Sequence, residues 1–427
     1  MDNERDSEYP ERKTVLQGTP MNRLLEIRDH LSAAPHRSLF LAGALQGVLT
    51  VLWWVFDLAG RYGVAGSMTH WSIAPTWAHA FLMVYGFFPF FILGFLFTTY
   101  PNWMNGDKVK PREYVATCAL MAAGVALVYA GLLTHKAIII LGIELMLIGW
   151  GVAVYVLYRI LLSTPAQDKR HARVISIALL MGWLGVAAYL LWLVTEDPAM
   201  LNFARHAGVW FFLLPIVLTV SHRMIPFFSS RVLDNYEMVR PFWMLWLMLA
   251  CSAAHGSLQW LELSAYLWIA DLPLAGCALY LSYRWGFLRS FSVSLLAVLH
   301  FSFAWLGVAM LLYGLQSLVY FASGNLILGL APLHALGIGF FASMILAMAS
   351  RVTIGHSGRP LELDRLTWVL FLGFQATAVL RILADFIPAI APLLYVLAAL
   401  VWLACFGLWA IKYAPIYWRQ RVDGKPG

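Results

Sequence analysis

The sequence predicts an all-α, polytopic integral membrane protein with twelve transmembrane helices. Two observations carry this prediction. Of the 427 residues, 61% are hydrophobic and only 12% are charged, and the apolar residues form long runs that are almost free of charge. A run of about 20 apolar residues is long enough to cross the hydrocarbon layer of a membrane as a helix. Such a composition excludes a soluble domain.

Twelve hydrophobic runs follow one another along the chain. We expect transmembrane helices at residues 38–59, 76–100, 114–133, 137–160, 174–194, 206–227, 242–260, 265–283, 291–313, 326–349, 366–386 and 391–412. They divide the chain into a flexible cytoplasmic tail (1–36), a single twelve-helix transmembrane domain (37–413) and a cytoplasmic C-terminal tail (414–427). The first tail lacks the pattern of a secretory signal peptide, and we expect one short helix in it, near Met21 to Leu31.

The basic residues predict the orientation of these helices. If both termini are cytoplasmic, almost all Lys and Arg fall in the tails and in the loops on the cytoplasmic side, and only Arg61, Lys136 and Arg205 face outside. This distribution obeys the positive-inside rule. The formal net charge of +7 therefore indicates topology and not a nucleic-acid partner.

Histidines inside the predicted helices are the candidate functional residues. His79, His206 and His334 lie in the outer parts of the second, sixth and tenth helices and are 127 and 128 residues apart. This spacing suggests three four-helix units in a pseudo-threefold arrangement. We expect His255 in the seventh helix and His300 in the ninth at a comparable depth.

Each of these imidazoles has two interpretations, because a histidine in lipid must be satisfied either by a hydrogen bond or by ligating a metal or cofactor. For His206 and His255, near helix ends, a hydrogen bond to a carbonyl or to water is the more common case. For His79, His300 and His334, ligation is favoured, because they lie on runs with almost no other polar side chain. Three further histidines are expected in solvated loops: His30, His135 and His171.

Five segments carry a resemblance to a known family. They are PHRSLFLAGALQGVL at Pro35, HAFLMVYGFFPFFILGFLFTTYPNW at His79, FFLLPIVLTVSHRMIPFF at Phe211, LHFSFAWLGVAML at Leu299 and HALGIGFFASMILAMASRVTIGHSGRPL at His334. They resemble the NnrS family of bacterial haem- and copper-containing membrane proteins associated with the nitric oxide response. Many members have a second His and a Glu just after the position of His79, where this chain has Phe81 and Leu82.

The resemblance implies a haem, expected to be b-type, and copper as a further cofactor. His79 and His334 would provide the two axial ligands of the haem iron. Copper, which favours imidazole nitrogen, would be held by a second set of ligands: His206, His255 and His300. The remaining candidate is Arg381, which is predicted inside the eleventh helix. It would contact the haem propionates, and an ion pair with Asp385, four residues on, is the alternative.

The layout also resembles the catalytic subunit of haem-copper oxidases and nitric oxide reductases. In those proteins helices two and ten hold a haem, and helices six and seven hold a second metal. Here the seventh helix lacks paired histidines and the tenth lacks a second histidine. The likeness is therefore one of architecture, from which function does not follow.

We therefore expect a bacterial inner-membrane protein that binds or consumes nitric oxide and protects against nitrosative stress. One alternative is a nitric oxide reductase, whose electrons would come from quinol or another donor, because the sequence has no CxxCH haem motif. Another is a twelve-helix transporter, although internal charges are few. Four basic residues at the inner helix ends are expected to shape loops and contact anionic lipids, with a quinol or partner site as the alternative: Arg223, Arg351, His356 and Arg359.

Overall fold

The computed structural model describes residues 20–63 and 70–425, and within these ranges the chain folds into helices without a β-strand. The predicted all-α class is confirmed. The helices are α1 (Pro20–Leu31), α2 (Pro35–Arg61), α3 (Pro75–Met104), α4 (Pro111–Leu133), α5 (Lys136–Ser163), α6 (Arg170–Thr195), α7 (Pro198–Ser229), α8 (Phe242–Trp260), α9 (Ser264–Arg284), α10 (Ser294–Ser323), α11 (Ala331–Gly355), α12 (Arg365–Phe386) and α13 (Pro388–Tyr417). The short helix expected near Met21 is α1. Residues 1–19 of the predicted flexible tail lie outside the described residues.

Local sequence explains where many helices begin and end. Several helices start at a proline, as α2 does at Pro35 and α3 at Pro75, because the first helical residue needs no N–H donor. Asp197 caps α7 by accepting a hydrogen bond from the backbone N–H of Ala199 (2.9 Å), which satisfies a free donor of the first turn. Gly324 ends α10 with φ of 72°, a left-handed conformation that glycine adopts without strain.

Eleven helices in the described part of the chain are long and apolar enough to cross a membrane, so the prediction of twelve spans is confirmed for eleven. The segment predicted as the seventh span is helical, as α8, and 19 residues long. It is not among the eleven. Its outer half carries Ser252, His255 and Gln259, and these polar residues interrupt the apolar run.

The helix contacts repeat three times and follow the predicted four-helix units α2–α5, α6–α9 and α10–α13. In every unit the first helix packs against the second, and the third packs against the fourth. The fourth helix of each unit also packs against the first helix of the next unit, as α5 does on α6, α9 on α10 and α13 on α2. The units therefore close into a ring, in the pseudo-threefold arrangement that the histidine spacing suggests.

The second helix of each unit lies inside the ring. Among the eleven, α3 and α11 have the largest buried shares, and α3 contacts both α7 and α11. Residues of all three helices, with Phe40 of α2, line an apolar cavity of about 50 Å³. We call the end where these three helices begin the outer end, and the opposite end the inner end, after the predicted topology.

Each inner helix contains a π-helical segment just after its histidine: Leu82–Phe87, Ala207–Leu213 and Ala335–Ala342. Pro89 and Pro215 follow the first two segments. Because proline has no N–H to donate to the carbonyl four residues back, it breaks the α-helical ladder within the segment. In α11 no proline follows. There the Trp305 ring packs directly against the helix at Gly339, since a Cβ added to this glycine would lie 2.5 Å from the ring.

Close packing of α4 on α5 depends on two glycines. A Cβ added to Gly142 would lie 2.5 Å from the carbonyl oxygen of Gly124, so a larger side chain must force the helices apart. We expect Gly142→Val to destabilise the bundle by about 1–3 kcal/mol and to lower the thermal midpoint of the detergent-purified protein. Gly407→Val is the matched control, since a Cβ at Gly407 meets nothing within 4 Å. Equal midpoints for the two variants would contradict this account of the interface.

Candidate functional site

Two of the predicted ligands lie near each other at the outer end of the bundle. His79 lies in the first turns of α3 and His334 in the first turn of α11, so both imidazoles stand at the start of an inner helix. The two rings are close enough to act on each other electrostatically, and the charge of Arg381 on α12 acts on both. We call His79, His334 and Arg381 the outer histidine pair and its arginine.

The ring of His79 is held by stacking and not by hydrogen bonds. It lies parallel to the indole of Trp54 on α2, with ring centroids 4.1 Å apart and planes 16° apart. Its Nδ1 atom is buried and has no hydrogen-bond partner among the described residues. An unpaired polar atom in such a place costs free energy, so the position suits a group that binds from outside the chain.

His334 is oriented by its own helix. Its Nδ1 donates a hydrogen bond to the carbonyl oxygen of Leu330 (2.9 Å), which requires the tautomer protonated at Nδ1 and leaves the lone pair on Nε2. A hydrogen bond of this kind commonly fixes the orientation of a metal-binding imidazole. Gly337 is one turn further along α11, and a Cβ added there would meet nothing within 4 Å. The helix surface beside His334 is therefore open.

The charges near the pair are already matched within the chain. Arg381 forms an ion pair with Asp385 (2.8 Å) and lies over the Tyr395 ring, 4.5 Å from its centroid. On the α2 side, Arg61 pairs with Asp57 (2.6 Å) and lies over Trp54 at 5.3 Å. The predicted alternative for Arg381, an ion pair with Asp385, is thus present. This ion pair holds the guanidinium near both imidazoles.

A second cluster at the outer end surrounds His255. The Nδ1 atom of His255 on α8 and a carboxylate oxygen of Asp271 on α9 lie 2.5 Å apart, and both side chains are 0% exposed. The imidazole stacks on Trp210 of α7 at 3.5 Å, while Tyr313 of α10 meets it edge-on at 4.8 Å. Asp271 did not stand out in the sequence beyond being a buried acid, since only the fold brings it to His255.

This cluster contains two unsatisfied polar atoms. His255 Nε2 and Asp271 Oδ2 are buried without a hydrogen-bond partner among the residues described. His206 is close enough to His255 for an electrostatic interaction, and its own Nε2 shares a hydrogen bond with Asn202 Oδ1 (2.9 Å). His206 and His255 are therefore brought together as expected. We call His206, His255 and Asp271 the His255 cluster.

The structure does not bring His300 to these residues. His300 Nε2 lies 2.9 Å from the hydroxyl of Ser229, the last residue of α7, at the inner end. Tyr313, which contacts His255, is 13 residues further along α10, or about 20 Å at 1.5 Å per residue. The expected common depth therefore does not include His300, because α10 continues to Ser323, ten residues beyond the predicted run, so His300 lies near its inner end and not near its middle.

Other histidines pair at the inner end, and the sequence predicts none of these contacts. His171, expected in a solvated loop, is instead buried in α6, and its Nε2 lies 3.1 Å from Nδ1 of His222 on α7. His36, only 2% exposed, lies against His356 with ring centroids 4.8 Å apart. Burial, and then the charges of Arg421 and Arg37, lower the pKa of His356 below its ordinary value.

Within 20–63 and 70–425, no group of three or more His, Cys, Asp or Glu side chains is placed to hold a metal ion. A metal held by His79 and His334 would have two imidazoles as its protein ligands. That number suits the axial positions of a haem, whose ring supplies the other four nitrogens. On a copper ion, two imidazoles leave further coordination positions unfilled.

Comparison with known proteins identifies the family. The family model described as NnrS protein matches residues 30–421, which is nearly the whole chain and includes all the histidines discussed above. No curated protein matches the chain. The helices of the fold, the outer histidines and the length of this match agree, and the chain belongs to the NnrS protein family.

Proposed function

We propose that this protein is a haem-binding protein of the bacterial cytoplasmic membrane that binds or consumes nitric oxide in the response to nitrosative stress. The observation that carries the proposal is the convergence of His79 and His334, 255 positions apart in the sequence, beside Arg381. Membership of the NnrS family supports it. So does the membrane setting, because nitric oxide is small and apolar and partitions into lipid.

The residues present fit a haem. His334 offers an oriented Nε2 lone pair, and His79 has a buried nitrogen without a partner. The open surface at Gly337 leaves room beside His334 for a flat group. Arg381 and Asp385 stand at the same end, where the guanidinium could also bind a propionate. When bound, the haem would supply an iron that takes nitric oxide in place of one of the two imidazoles, because the ring and both imidazoles together leave no position free.

The chain's own residues would prepare this site. Trp54 holds the ring plane of His79 by stacking, and the carbonyl of Leu330 fixes the tautomer of His334. Arg381 places a positive charge near both imidazoles. The apolar side chains of the inner helices exclude water from the interior of the bundle.

Copper is the second cofactor we propose, at the His255 cluster. Asp271 would accept a hydrogen bond from the Nδ1–H of His255. The unpartnered Nε2 of His255 would then carry the lone pair that binds the metal. A carboxylate that accepts from a ligating histidine raises the basicity of that ligand. A quinol-dependent nitric oxide reductase is the related candidate, because the same buried acid could hold the proton that such a reduction needs.

Removing either outer imidazole tests the haem proposal. We expect His79→Ala or His334→Ala to abolish or reshape the Soret band of the purified protein without preventing membrane insertion, because the iron loses an axial ligand. His206→Ala is the matched control, since it occupies the equivalent position on α7. Protein expressed with ample haem that shows no Soret absorbance would contradict the proposal.

The copper proposal predicts a difference between two histidines. We expect His255→Ala to lower the copper content, measured by elemental analysis, while the haem spectrum stays unchanged. His300→Ala should leave copper unchanged, because His300 binds Ser229 at the other end of the bundle. If wild type and both variants hold the same amount of copper, His255 is not a ligand.

Arg381 can be tested by its charge. We expect Arg381→Leu to weaken haem retention and to shift the reduction potential downward, because an unneutralised propionate favours the oxidised, more positive iron. Redox titration of the purified protein measures this shift, with Asp385→Asn as the comparison. If Arg381→Leu keeps the haem affinity and the reduction potential of wild type while only its thermal stability falls, Arg381 is a structural partner of Asp385 and does not contact a propionate.

A further inference from the structure

Arg351, near the inner end of α11, is a buried arginine without a counter-charge. Only 8% of the residue is exposed. Its guanidinium lies over the ring of Phe228, 3.8 Å from the centroid. No side chain or carbonyl among the described residues accepts a hydrogen bond from it, and no acid lies close enough to act on its charge.

A half-buried arginine, Arg223, occupies the equivalent place in the ring of helices. Arg223 on α7 follows His206 by 17 residues, and Arg351 follows His334 by 17. Arg223 lies over the Trp103 ring at 4.8 Å. The one acid that acts on it, Asp168, is already bound to Arg170. Both arginines therefore meet an aromatic face and no paired carboxylate.

An aromatic face does not compensate a buried charge. A cation–π contact stabilises by about 0.5–2 kcal/mol, whereas withdrawing an ion from water costs several kcal/mol. Buried charges in proteins are accordingly paired. The ring covers one face of the Arg351 guanidinium and leaves its N–H edges free, and those edges match an oxyanion with two parallel hydrogen bonds.

We propose that Arg351 binds an oxyanion that enters from the inner end, and that Arg223 provides the equivalent position on α7. The oxyanion is the phosphate of an anionic phospholipid or a small soluble anion such as inorganic phosphate. A propionate of a haem at His334 is excluded, because 17 helical residues separate the two positions by about 25 Å. The site does not depend on the proposed function.

The test compares wild type with Arg351→Met and Arg351→Lys. Native mass spectrometry of protein purified in mild detergent measures bound anionic phospholipid. Thermal melting of delipidated protein measures the response to inorganic phosphate against NaCl of equal ionic strength. We expect Arg351→Met to reduce binding of one of these ligands roughly tenfold or more, as the loss of a charge-assisted contact predicts. Arg351→Lys keeps the charge but lacks the forked pair of N–H donors. Its binding should therefore lie between that of wild type and that of Arg351→Met.

Arg159→Met is the matched control, because Arg159 also lies over an aromatic ring, Tyr155 at 5.7 Å, but is ion-paired with Glu113 (2.7 Å). It should retain the ligand. Loss of lipid alone identifies a headgroup, and loss of the phosphate response alone identifies a soluble anion. If Arg351→Met fails to fold, the same two binding measurements on Arg351→Lys and Arg223→Met test the proposal instead. Folded variants that bind both ligands as wild type does would overturn the proposal, whatever the Soret band shows.

Discussion

A polar side chain inside a membrane bundle has to find its partner within the protein, because hydrocarbon offers neither hydrogen bonds nor counter-charges. Most of this chain obeys that constraint. Arg61 is matched by Asp57, Arg381 by Asp385, and the indole N–H of Trp402 donates to the carbonyl of Gly47 at 3.0 Å. The bundle is thus largely self-sufficient in hydrogen bonds and charge.

Fourteen buried side-chain atoms have no hydrogen-bond partner among the described residues, and three of them belong to the two outer histidine sites. At the outer end, His79 Nδ1, His255 Nε2 and Asp271 Oδ2 are buried without partners. At the inner end, Arg351 has a ring face but no anion. For these ionisable groups we propose a partner from outside the chain. The outer ones fit metal or haem, and the inner one fits an oxyanion.

The threefold repeat gives each unit the same starting position and then varies its neighbours. His79 has the Trp54 ring beside it, His206 has the Asn202 amide, and His334 has the Leu330 carbonyl. The repeated backbone, with a π-helical segment after each histidine, sets where an imidazole stands. The residue that touches the imidazole decides whether its nitrogen is free. One architecture therefore gives its three equivalent histidines different surroundings.

The sequence by itself determined the fold class and the repeat. Long apolar runs can only be helices in lipid, since every backbone group must be satisfied within its own segment, and the even spacing of His79, His206 and His334 marked the three units. What only the tertiary structure decided was which side chains meet. Asp271 and His255 are on neighbouring helices, and His300 binds Ser229 at the other end. Such contacts depend on helix rotation and on where each helix begins, which an apolar run leaves undefined because any of its faces can be turned to the interior.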